Sequence, residues 1–207
     1  MLMNTHEARL EALRKELTAR DLDGFVVPIS DEHMSEYVGA YAQRLQWLTG
    51  FGGSAGTAVI LQQKAAIFVD GRYTIQVRDQ VDGRFYSYES VPQTSPAKWL
   101  AEHAAQGARI GYDPWLHGKP WVDAMTKALA GRGATLVALD SNPIDAVWQD
   151  QPAPSDAPAE VHALAHAGEA SEAKRGAVAE WLTANGYDAA AITALDSIAW
   201  LLNIRGT

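Results

Sequence analysis

The segment whose residue types and spacing most suggest covalent chemistry is Gly52-Gly53-Ser54-Ala55-Gly56, a match to G-x-S-x-G. In a hydrolase that pattern places a serine on a sharp strand-to-helix turn, and the backbone amide after it helps hold an oxyanion. Here the β-branched stretch Thr57 to Leu61 follows at once, so the turn opens a strand and no helix completes the site. Gly50 to Ala55 also fits the dinucleotide fingerprint G-x-G-x-x-A. It lacks the same helix, whose N-terminus would hold a pyrophosphate. Both matches are read as a glycine-rich entry to a hairpin, with the Ser54 hydroxyl bonding nearby backbone.

His162 and His166 stand four apart, with Glu169 three further on. On a helix these would share a face and could ligate a metal. No Glu follows the first His as a zinc hydrolase requires, and the stretch is Ala-rich, so a solvated surface is the preferred reading. His6, His33, His103 and His117 are isolated and form no constellation. Asp70-Gly71-Arg72-Tyr73 ends the predicted hairpin, where Asp70 can cap free backbone amides and Arg72 can fork onto a carboxylate. The candidate residues are therefore a structural motif: Gly53, Ser54, Gly56, Asp70, Arg72 and Tyr73. No catalytic and no metal-ligating residue is assigned. Seven tryptophans are many for this length, and most are expected in the core or at contacts between domains.

The elements that position these residues follow from periodicity. Asn4-x-x-Glu7 reads as a capping box, and Leu10, Leu13 and Leu17 follow at helical spacing. Phe25 to Ile29 is a short apolar run suited to a buried strand that Pro28 closes. Residues 31–39 read as a loop or short helix. Residues 57–61 and 65–69, joined by Gln62-Gln63-Lys64, predict a hairpin. A helix over 72–81 and a strand over 84–89 come next. Ser95-Pro96 opens a helix that Gly107 closes. A strand over 109–112, a helix ending at Gly131 and a strand over 134–139 complete the pattern. Strands alternating with helices around one hairpin predict an α/β fold, a mixed sheet flanked by helices.

That first domain is expected over 1–150. The run Gln151-Pro152-Ala153-Pro154-Ser155-Asp156-Ala157-Pro158 predicts a stiff extended linker over 151–158. Beyond it the opening pattern recurs. Leu17-Thr18-Ala19, Asp23, Phe25-Val26-Val27 and Asp31 are matched in register by Leu182-Thr183-Ala184, Asp188, Ala190-Ala191-Ile192 and Asp196. Trp47-Leu48-Thr49-Gly50 is echoed by Trp200-Leu201-Leu202-Asn203. Residues 159–207 are thus expected to be the start of a second similar domain, with a central strand at 189–192 and the chain cut on the turn. Such a half-domain is expected to be ordered by packing on the first domain or on another copy.

Composition narrows the classes of function. The chain has 207 residues, 47% of them hydrophobic and 20% charged, ordinary globular usage. A net charge of −8 without a basic run argues against nucleic-acid or anionic-membrane partners. The absence of cysteine excludes disulfides, iron–sulfur clusters, thiolate zinc sites and cysteine nucleophiles. No apolar run reaches bilayer-spanning length and the first residues carry no signal-peptide core, so a cytoplasmic location is the default.

Arg44-Leu45-Gln46-Trp47-Leu48-Thr49-Gly50-Phe51-Gly52-Gly53-Ser54-Ala55-Gly56-Thr57, followed by Phe68-Val69-Asp70-Gly71-Arg72-Tyr73-Thr74-Ile75-Gln76, resembles the N-terminal domain of Xaa-Pro aminopeptidases of the three-domain kind. The resemblance continues through Gly111-Tyr112-Asp113-Pro114 and Asn142-Pro143-Ile144-Asp145-Ala146-Val147-Trp148 to the stretch Thr193 to Gly206. It implies a creatinase N-terminal-like fold and a parent enzyme that releases an N-terminal residue preceding proline. It also implies that two divalent metal ions, manganese in the usual case, lie in a C-terminal domain whose ligand motifs do not occur in these residues. No cofactor is therefore expected in this chain. The implied partners are short peptides with proline in second position and further copies of the protein. The implied role of this part is to shape access to the active site and assembly. The alternative is a stand-alone creatinase-like binding or interaction module without peptidase activity. A third reading, a serine hydrolase using Ser54, carries the helix objection above.

Overall fold

The computed structural model describes residues 5–206. Its contacts divide into two compact units, Met1–Ala153 and Pro154–Thr207.

In the first unit, α1 (His6–Ala19) is capped by Thr5, whose side chain accepts from the Ala8 amide. Asn4 of the predicted capping box lies outside the described residues. Leu10, Leu13 and Leu17 form the buried stripe of α1, as their spacing predicts. The chain continues through β1 (Gly24–Pro28), α2 (Arg44–Thr49), β2 (Thr57–Leu61), β3 (Ala65–Val69), α3 (Gln76–Gln80) and β4 (Ser87–Ser90). It then forms α4 (Pro96–His103), β5 (Arg109–Tyr112), α5 (Lys119–Ala130), β6 (Thr135–Ala138) and α6 (Pro143–Val147). The strands make one six-stranded mixed sheet in the order β4-β3-β2-β1-β5-β6. The β1/β2 and β2/β3 pairs are antiparallel, and the β3/β4, β1/β5 and β5/β6 pairs are parallel.

Successive side chains of a strand point to opposite faces, and here both faces are covered. Phe25, Val27, Ala58, Ile60, Ile67 and Val69 join α1 and α2 in one core. Val26, Val59, Leu61, Ala66 and Phe68 join Trp99, Leu100, Met125 and Leu129 in the other. Burial on both faces explains why β1, β2 and β3 read as unbroken apolar runs rather than alternating ones.

Three predicted elements are shorter than read. The helix over 72–81 is a 3-10 turn, Gly71–Tyr73, followed by α3, because Asp70 caps the Arg72 amide and starts a separate turn. The strand over 84–89 begins only at Ser87, since Asp82 and Arg84 form a turn in which Asp82 accepts from the Arg84 amide at 2.9 Å. Helix α4 ends at His103, with its cap at Ala104 rather than at Gly107.

His117, isolated in the sequence, stacks on Trp121 with ring centroids 3.6 Å apart and lies 5.9 Å from the Tyr112 ring. Its Nε2 is buried without a hydrogen-bond partner among the described residues. Burial pushes its pKa down to about 4. The unfolded chain takes up this proton near pH 6.5 and the folded chain only near 4, so stability is full above about 6.5 and falls as pH drops through that window. The expected loss is at most about 3 kcal/mol. Urea unfolding at pH 7, 5.5 and 4.5 checks it, and His117→Phe should flatten this part of the slope.

The second unit holds β7 (Glu160–Val161), α7 (Leu164–Ala167), α8 (Ser171–Ala184), α9 (Leu195–Leu202) and β8 (Ile204–Arg205). β7 and β8 pair antiparallel, Glu160 with Arg205 and Val161 with Ile204. The strand predicted at 189–192 is not formed. Its counterpart in β1 is Phe-Val-Val between two neighbours, whereas Ala190-Ala191-Ile192 has weaker β propensity and no adjacent strand among the described residues. The unit is tied instead by a polar clamp. The buried Lys174 Nζ donates to Trp200 O (2.9 Å) and Asn203 Oδ1 (2.8 Å), and Ser171 Oγ donates to Leu201 O (2.8 Å). Asn203 takes the left-handed conformation at the end of α9, as Gly50 does at the end of α2. The two positions matched in the sequence therefore do the same job. Trp181 and Trp200 remain 59% and 53% exposed.

Candidate functional site

Sheet register gathers the candidate residues at one end of the hairpin. Thr57 at the start of β2 pairs with Phe68 near the end of β3 and with Pro28 at the end of β1. The loop after β1, the turn before β2 and the segment after β3 must therefore meet. The Ile29 amide donates to Gly56 O at 3.2 Å, stitching the first two together.

The turn is shaped by its glycines where contact demands them. Gly50 ends α2 with φ 87°, and the preceding Thr49 is buried, its hydroxyl accepting from the Phe51 amide at 3.1 Å. A Cβ on Gly53 would fall 2.4 Å from Phe51 Cζ and 2.8 Å from the Tyr73 ring, so that position must stay bare. Phe51 and Tyr73 pack edge to face, 5.6 Å between centroids.

Ser54 sits inside this arrangement. Its amide donates to the Tyr73 hydroxyl at 3.2 Å, and its Oγ lies 2.9 Å from the same oxygen. Ser54 Oγ also donates to Glu36 Oε1 at 3.1 Å. Among the described residues no histidine hydrogen-bonds Ser54, and β2 rather than a helix follows it. These contacts have the form of a brace across a turn, not of a nucleophile with its base. Hydrogen bonding with Ser54, through its side chain and its amide, holds the Tyr73 phenol below its ordinary pKa. Asp70 caps the Arg72 amide at 2.9 Å, and the Arg72 guanidinium folds back onto its carboxylate at 2.7 to 3.2 Å. That fork holds the Asp70 pKa below the usual carboxylate value. The Arg72 guanidinium also covers the Tyr73 ring, 5.1 Å from its centroid.

Several residues here escaped the sequence reading. Glu36 lies in a loop with no pattern to mark it. Arg44 grips Asp145 bidentately, Nε to Oδ1 at 2.7 Å and Nη2 to Oδ2 at 2.8 Å, across 101 residues of sequence. Burial opposes the charge on Arg44, yet hydrogen bonding and attraction to Asp145 outweigh it and raise its pKa. Trp47 stacks on Trp148, centroids 5.3 Å apart. Gly50 after a short amphipathic run was a usable stop signal for α2, whereas the long-range pairings had none.

His162 and His166 do not share a helix face, because α7 begins only at Leu164. Their rings are 5.8 Å apart, and no group of three or more His, Asp or Glu among the described residues could hold a metal ion. Trp47, Trp99 and Trp148 are core residues, while Trp115, Trp181 and Trp200 are exposed.

This architecture is shared with known proteins. The creatinase/prolidase N-terminal domain family matches residues 9–147, and a second family of the same description matches residues 150–207. Human Xaa-Pro aminopeptidase 2 is 33% identical over 201 residues, 96% of this chain and 30% of that protein. The X-prolyl aminopeptidase of Caenorhabditis elegans, described as a cytosolic enzyme with a di-nuclear active site, superposes with a TM-score of 0.85 at 30% identity, over 97% of this chain and 35% of its own. The N-terminal domain of the Mycobacterium tuberculosis peptidase PepQ shares the fold, with a TM-score of 0.53 at 22% identity over 68% of this chain and 98% of its own. The chain spans about a third of the length of the curated relatives it matches. With its mixed sheet flanked by helices and both parts matched, this chain belongs to the creatinase/prolidase N-terminal domain family.

Proposed function

We propose that the chain is the N-terminal, non-catalytic part of a metallo-aminopeptidase that releases an N-terminal residue preceding proline. In this reading residues 1–150 are the first creatinase-like domain, 151–158 a proline-rich linker and 159–207 an incomplete second domain. This part shapes access to the active site and takes part in assembly into homo-oligomers in the cytoplasm. Gly53, Ser54, Gly56, Asp70, Arg72 and Tyr73 serve it as structure, bracing the turn that faces solvent at the end of the hairpin.

The observation that carries the reading is the likeness along nearly the whole chain to about a third of an X-prolyl aminopeptidase with a di-nuclear active site. Two metal ions, manganese in the reading offered here, would supply an activated water and polarise the scissile carbonyl in the longer protein. The described residues of this chain do not fit such a pair, since they contain no cluster of three carboxylates and histidines. No step of the reaction is assigned to them. An X-Pro bond presents a bulky ring and lacks an amide hydrogen, so a narrowed approach around a dedicated pocket suits such substrates. Such a role rests on shape and interface and does not require titrating residues.

The purified chain, incubated with manganese and a peptide such as Ala-Pro-Ala, is expected to release no alanine above a metal-only blank. Release that scales with the chain and stops on chelation would overturn the assignment of a non-catalytic role.

A further inference from the structure

The loop after β1, the first turn of α2 and the turn before β2 line a cavity of about 180 Å³. Its lining divides by chemistry. Ile29, Leu45 and Phe51 provide an apolar floor, and Glu36, Gln46 and Ser54 provide polar groups. The Glu36 carboxylate is set in place through one oxygen, which accepts from Ser54 Oγ at 3.1 Å, and Ser54 is braced in turn by Tyr73. The other carboxylate oxygen has no hydrogen bond or ion pair among the described residues. None of the described residues lining the cavity is cationic.

The wall that carries Glu36 is pre-formed. The buried Asp31 accepts from the His33 and Ser35 amides at 3.0 and 2.9 Å, and Gln43 Nε2 donates to Val38 O at 3.4 Å. An apolar pocket with a few convergent polar groups is the usual form of a ligand site, and a volume of about 180 Å³, smaller than that of most such pockets, limits the ligand to a compact one. The Arg72 guanidinium feels the Glu36 charge but is itself forked onto Asp70, so the oriented Glu36 carboxylate keeps an oxygen for a further positive group, and a charge-assisted hydrogen bond is about twice as strong as a neutral one.

We propose that this cavity binds an ammonium group carried on a compact apolar body. That chemistry is shared by a free apolar amino acid and by the N-terminal residue of a peptide. The ammonium meets Glu36 and the apolar group rests against Ile29, Leu45 and Phe51.

The test is a calorimetric or NMR titration of the full chain with leucinamide. 4-Methylpentanamide, the same skeleton without the amine, is the control. Saturable one-to-one binding of leucinamide is expected, with about tenfold or greater weakening for 4-methylpentanamide and for the exposed-site variant Glu36→Gln. Circular dichroism verifies that Glu36→Gln keeps the fold. Absence of saturable binding, or equal affinity in Glu36→Gln, overturns the proposal. Competition then identifies the source. Displacement by free leucine supports an amino-acid ligand, and displacement by Leu-Pro-Ala but not by leucine supports a peptide N-terminus. None of these readouts needs peptidase activity, so the proposal stands or falls apart from the aminopeptidase reading.

Discussion

Trp148→Ala is expected to destabilise the first unit by about 3 to 5 kcal/mol, the usual cost of truncating a core tryptophan. Trp148 is 8% exposed, and its partner Trp47 is 7% exposed. Their stacked rings join the α2 motif to the segment after α6, and the Arg9 guanidinium lies 4.9 Å from the Trp47 ring centroid. Removing either indole leaves a void between α1, α2 and α6 that those helices cannot close without shifting. Chemical denaturation followed by circular dichroism measures the loss. A cycle with Trp47→Ala should return a coupling of about 1 kcal/mol from the stack. Coupling near zero would mean that the two rings contribute only as separate apolar surface.

Asp145→Ala is the second large effect, expected to cost about 3 kcal/mol. Arg44 is buried, and two of its nitrogens are satisfied by Asp145 alone, while Nη1 already lacks a partner among the described residues. Removing the carboxylate strands a buried charge, which costs more than the pair itself contributes. Gln151 Nε2, which donates to Asp145 Oδ1 at 3.0 Å, loses that acceptor as well. Asp145 is itself about a third exposed, which places the cost at the low end of the range for buried pairs. The double variant Arg44→Met, Asp145→Leu should recover most of the stability, because packed apolar side chains of similar volume replace a buried ion pair at little cost. Unfolding midpoints of the two single variants and the double one decide the matter. A double variant no more stable than Asp145→Ala would locate the penalty in lost packing rather than in the unpaired guanidinium.

Both predictions concern residues that stood in conspicuous stretches of sequence without a visible partner. The local structure was legible because its causes are local. Leucines at helical spacing gave α1 its buried face. Ser95 with Pro96 opened α4, and β-branched runs around Gln62-Gln63-Lys64 made the hairpin. The chain order of strands and helices then implied a mixed sheet, and the turn glycines implied that Ser54 belonged to a hairpin entry.

What the tertiary structure alone decided is everything that depends on distance through space. Sheet register put the loop after β1 beside the Gly-Ser turn, and so brought Glu36 to Ser54 across 18 residues. Packing of α6 on α1 and α2 paired Arg44 with Asp145 and Trp47 with Trp148. Periodicity reports which face of an element is apolar, but not which element will cover it. The second unit makes the same point in reverse. Its sequence repeated the pattern of β1 over 189–192, yet no strand formed there, because a strand is completed only by neighbours that accept and donate its hydrogen bonds. Where the cause was a cap, as at Gly50 and Asn203, the repeat held in sequence and in structure alike, since a left-handed residue after a helix is a local event.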